Sequence, residues 1–152
     1  MDPHRAHCLR EAHPGAEFPW HRPVAAPELR EIYDAAAKAF GVNREHASNL
    51  TPVLVSLAHP LPDADAEADG FSLEHIASRH GLDDGGNVLL HQLNWNETDE
   101  MHFADVCRHF QDLWYPAADD TLILDMGLRW LIAVRHWGEV KVLKSSHDAP
   151  GG

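Results

Sequence analysis

A chain of 152 residues, 44% hydrophobic and 24% charged, suffices for one domain with a real core and is too apolar for general disorder. Lys and Arg number 12 against 24 Asp and Glu, and the formal charge of -12 repels nucleic-acid backbones and anionic lipid while favouring a basic protein partner. No apolar run approaches the roughly 20 residues of a bilayer-spanning helix, and the opening MDPHRAHCLREAHPG has no apolar signal core, so a cytoplasmic protein is expected.

Residues 1–25 carry Pro3, Pro14, Pro19 and Pro23 among charges and histidines. They read as an irregular N-terminal arm, pinned to the body by Phe18 and Trp20. A single body is expected over 26–145, with a flexible tail at 146–152. The spacing of Leu29, Ile32, Tyr33, Ala36 and Phe40 predicts a helix over 27–40, with Pro27 in its first turn and Gly41 just past its end. The segment 49–59 fits two patterns. Val53, Leu54 and Leu57 would share a helix face, whereas Val53, Val55 and Leu57 would share a strand face. LPDADAEADG then reads as an acidic surface loop.

SLEHIASRHGL predicts a short helix capped by Ser72 and stopped by Gly81. The following DDGGN lacks both the basic residues of a DNA-recognition helix and the lysine of a phosphate loop. NVLLHQLNW, residues 87–95, reads as a strand covered on both faces. Residues 97–114 read as one helix with acids in its first turn and an apolar stripe of Phe103, Val106, Cys107, Phe110, Leu113 and Trp114.

The carboxyl-terminal part predicts a three-stranded antiparallel meander over 121–144. A loop at His136, Trp137 and Gly138 pairs Val134 with Val140 and Ile132 with Val142, with Gly138 at a left-handed bulge position. A matching loop at Asp125, Met126 and Gly127 would pair Leu122 with Trp130 and Leu124 with Leu128. Together these put Leu122, Leu124, Leu128, Trp130, Ile132, Val134, Val140 and Val142 on one face, packed on the helices beginning near 27 and 97. The other face, with Ile123, Leu131, Ala133 and Leu143, would need cover from the arm, from 87–95 or from a partner. The fold class is therefore α+β, an antiparallel sheet packed against two or three helices.

Two chemistries compete. His102, Asp105 and His109 would line one shoulder of the helix 97–114, a donor set suited to zinc or iron in a small metal-dependent enzyme. Positions i and i+7 lie about 10 Å apart along a helix axis, so one ion could hold at most Asp105 and His109 with ligands from elsewhere. His4, His7 and Cys8 form a weaker set, and a solvated polar surface accounts for either group. No nucleophile elbow is present; Cys8 and Cys107 read as reduced thiols, the latter in the core. The other chemistry is binding without catalysis or cofactor. Trp137 is predicted at a hairpin tip, flanked by Arg135, His136 and Glu139, with Asp119 and Asp120 nearby. There it serves as an interface anchor or folds back over its own sheet.

The segment DDTLILDMGLRWLIAVRHWGEVKVL, residues 119–143, resembles the terminal meander of small acidic bacterial immunity proteins. The likeness lies in an acid pair, a strand, a turn, a Trp-bearing strand and a His-aromatic-Gly turn. It implies a cytoplasmic, non-catalytic inhibitor that blocks a toxin's active site, and it carries no individual residue role across.

Overall fold

The computed structural model describes residues 1–43, 50–82, 85–93 and 96–145. The expected tail at 146–152, Trp95 at the end of the expected strand 87–95, and Asp83 and Asp84 of DDGGN lie outside the described residues.

The amino-terminal segment is regular where an irregular arm was expected. Helix α1, Pro3–Ala12, starts with the Asp2 carboxylate accepting from Arg5 N at 3.0 Å and with Pro3 inside the first turn. Its buried residues are Arg5, Ala6 and Leu9, so no apolar stripe announces it. Strand β1, His21–Pro23, follows. Helix α2, Ala26–Ala39, matches the predicted one, closed by Phe40 and by Gly41 at φ 71°. The ambiguous segment is helix α3, Leu50–Leu57.

Strand β2, His59–Asp65, takes up the first half of what read as an acidic loop. Two prolines at 60 and 62 are tolerated there because it is an edge strand, where a missing N–H need not break a ladder. Helix α4, Leu73–Arg79, carries the expected Ser72 cap, with Ser72 Oγ accepting from His75 N at 3.1 Å. Strand β3, Asn87–Gln92, is buried on both faces.

The expected helix 97–114 is instead three elements. Strand β4, Glu97–His102, pairs with β3 on one side and β1 on the other. Helix α5, Phe103–Arg108, and helix α6, Phe110–Leu113, then meet at His109. The physical reason is visible in the stripe itself, whose apolar period begins only at Phe103. Acids at 97–100 suit a helix start, but here they belong to a paired strand.

Strands β5, Thr121–Asp125, β6, Trp130–Val134, and β7, Glu139–Lys144, form the meander. One seven-stranded antiparallel sheet results, in the order β1-β4-β3-β5-β6-β7-β2. The β6–β7 register is the predicted one, Val134 opposite Val140 and Ile132 opposite Val142, with Gly138 at φ 94°. The β5–β6 register is not. Leu122 faces Ala133 and Leu124 faces Leu131, and Leu128 rather than Gly127 takes the left-handed turn conformation at φ 58°. The Asp125 carboxylate closes that turn by accepting from Arg129 N at 3.1 Å and Arg129 Nε at 2.7 Å.

The sheet is therefore the middle of three layers. Ile123, Trp130, Ile132, Val134, Val140 and Val142 join Val88 and Leu90 under α4, α5 and α6. Leu122, Leu124, Leu131 and Ala133 join Leu89 under α2 and α3, with Leu128 and Leu143 at the margin. Helices α2 and α3 cover the second face, so no partner is needed there. Each large side chain buried in these layers contributes about 1.5–3 kcal/mol.

Candidate functional site

Two places gather chemistry that the sheet does not need for its own packing. The first is the β6–β7 turn. Trp137 is 51% exposed, the largest value among the exposed large hydrophobic residues described, and it belongs to neither core cluster. The Arg135 guanidinium lies 4.9 Å from the centre of its ring, and the His136 ring meets it edge-on at 4.8 Å.

Bonds within the turn and from both sides hold it. Its backbone closes by Gly138 N donating to Arg135 O and Arg135 N donating to Glu139 O, both at 2.9 Å. From one side, Asp120 accepts from His136 N at 2.9 Å and lies 3.4 Å from Arg135 Nε, while Ala117 N donates to His136 O at 2.8 Å. From the other, Ala66 N donates to Gly138 O at 2.9 Å. That last bond goes with the close approach of two exposed acids, Asp65 at the end of β2 and Glu67 in the turn after it, to Gly138, the residue after the tryptophan. A Cβ on Gly138 would collide with Asp65 Oδ1, and at φ 94° the backbone itself favours glycine.

Of the residues expected to face a partner, Trp137, His136, Arg135 and Glu139 lie on this turn, and Asp120 supports it from below. Asp119 does something else. It is 1% exposed and accepts from Arg5 Nη1 and Nη2, both at 2.7 Å, and from Tyr115 N at 2.8 Å. Arg5 also donates to Leu113 O at 2.9 Å. This buried pair fastens α1 to the loop after α6.

The second place lies where α1 ends against α6. His13 Nε2 is 2.7 Å from Asp112 Oδ2, and the His13 and His109 rings meet edge-on at 5.0 Å. Burial, followed by the charge of nearby His13, holds the His109 imidazole below its ordinary pKa, so it is neutral at pH 7. His102 and Asp105 do not join it. His102 ends β4, stacks on the exposed Trp20 with ring centres 5.0 Å apart, and lies 2.6 Å through Nδ1 from Asn87 Oδ1. Asp105 sits in α5, 3.9 Å from Arg108 Nη1. His102 leaves the expected shoulder because residues 97–102 are a strand, while Asp105 and His109 remain one turn apart, with His109 N donating to Asp105 O at 3.0 Å.

Sequence reasoning missed His13 and Asp112. The signal for Asp112 was its spacing of three from His109; nothing in the sequence placed His13 beside them. Cys8 has its Sγ 3.7 Å from His4 Nε2 on the exposed side of α1, and Cys107 is partly buried against the core under α5. Among the described residues, no helix is long and apolar enough to cross a membrane. Comparison of the chain with protein-family models, with curated proteins and with solved structures finds no match.

Proposed function

We propose that this protein is a non-catalytic binding module of the bacterial cytoplasm, an immunity or inhibitor protein that blocks a basic toxin or enzyme with an acidic, tryptophan-bearing surface. What supports the reading is one observation: the turn that carries the exposed Trp137, which the core does not use, is bonded to β2 through Ala66 and Gly138, with the exposed acids Asp65 and Glu67 against Gly138. An aromatic anchor rimmed by charge is the arrangement by which a few residues carry most of an interface's affinity. The acids draw a cationic partner in, and the indole supplies contact area once water is excluded.

The test is protection. A cell producing the toxin encoded beside this gene survives when the wild-type protein is co-produced and dies when Trp137→Ala replaces it at equal abundance. Survival with Trp137→Ala, or death with both, contradicts the proposal.

A further inference from the structure

We propose that His13, His109 and Asp112 form a zinc site that joins the end of α1 to α6. One donor atom from each of the three lies within 4.8 Å of the other two, a spread that modest side-chain rotation closes around a single ion. Two imidazoles and one carboxylate match the mixed nitrogen and oxygen donors that zinc accepts. His109 is 6% exposed, and its Nδ1 is buried without a hydrogen-bond partner. A His13–Asp112 ion pair by itself leaves that buried imidazole unsatisfied, whereas an ion shared by the three residues gives the ring a strong partner.

The surroundings suit the assignment. Both histidines also line a cavity of about 240 Å³ with Leu9, Phe18 and Pro19. Three protein donors leave one of zinc's usual four positions for water or a small anion entering from that cavity. The three residues come from the end of α1, from the junction of α5 and α6, and from α6, so an ion held among them ties chain segments far apart in sequence.

With 13 histidines in the chain, binding alone is not sufficient proof. The test therefore compares sites. Untagged full-length protein, stripped with a chelator, is titrated calorimetrically with Zn²⁺ and followed in parallel by visible absorption with Co²⁺. The expected result is one tight site, intense four-coordinate cobalt bands, and a Tm that rises with added zinc. His13→Ala and Asp112→Asn, both partly exposed positions, weaken that site about tenfold or more, while the double variant His4→Ala/His7→Ala leaves it unchanged. No binding by the wild-type protein overturns the proposal. So does binding that survives both His13→Ala and Asp112→Asn, or that disappears with His4 and His7. Should either ligand variant fail to fold, the cobalt spectrum of the wild-type protein decides, and weak six-coordinate bands overturn the assignment.

Discussion

At the scale of single residues, the sharpest consequence concerns Asp119. Its carboxylate neutralises a guanidinium that is itself buried, so removing it leaves Arg5 charged and enclosed. Breaking a buried pair from one side costs about 3–5 kcal/mol, and Asp119→Ala should lower the urea midpoint accordingly. Asp120→Ala should cost far less stability but loosen the turn that presents Trp137, weakening capture of a partner. A second consequence concerns pH. Burial lowers the pKa of His91, which is 7% exposed and is hydrogen-bonded through Nδ1 to the Tyr33 hydroxyl. The unfolded chain takes up the proton near pH 6.5, and the folded chain only at lower pH. Between those values the unfolded state holds more protons, so stability is full above about pH 6.5 and declines below it. Urea midpoints measured from about pH 7.5 down to about pH 5.5 should fall, and His91→Gln should flatten part of that slope. A slope unchanged by His91→Gln assigns it elsewhere.

At the scale of elements, the two turns of the meander show where the sequence is readable and where it is not. The β6–β7 turn was legible because Gly138 meets a positive φ and because β7 buries alternate residues only. The β5–β6 turn was not, because every residue of β5 and β6 is buried. A strand covered on both faces has apolar residues at odd and even positions alike, so alternation gives no register. The side chains of Asp125 and Arg129 set it instead. Strand β4 was hidden for a related reason, since ETDEMH owes its place to pairing on two sides and not to an apolar period of its own. Of the candidate site, the turn position of Trp137 was legible, but the approach of Asp65 and Glu67 to Gly138 was not, because it depends on a pairing across the sheet edge. Gly138→Ala tests that approach. The left-handed backbone alone costs about 1–2 kcal/mol for a residue with a Cβ, and the added methyl must also push Asp65 aside. Asp65 Oδ1 already accepts from Glu67 N at 2.9 Å, so its retreat disturbs the acidic turn as well. The variant should lose stability and partner binding together, as read by urea denaturation and by titration.

At the scale of the whole molecule, three layers of helix, sheet and helix leave the sheet's faces covered, so a partner meets the sheet only at its ends and edges. Long-range charge then matters most for how fast a partner arrives. With a formal charge of -12, association with a basic protein should slow as ionic strength rises, since charges more than about 8 Å apart are largely screened at physiological salt. Dissociation, governed by the packed indole, should change much less, and stopped-flow association across a salt series separates the two. Equal rates at low and high salt would remove the electrostatic part of the account.

The most direct measurement pairs stability with affinity in one variant, Trp137→Ala, using the partner that the wild-type protein protects against. Because the indole is half exposed and outside both core clusters, the Tm should stay within a few degrees of wild type while the Kd rises at least a hundredfold, about 2.7 kcal/mol. A variant that binds as tightly as the wild type, or that loses its fold along with its binding, contradicts the claim that Trp137 is kept for a partner.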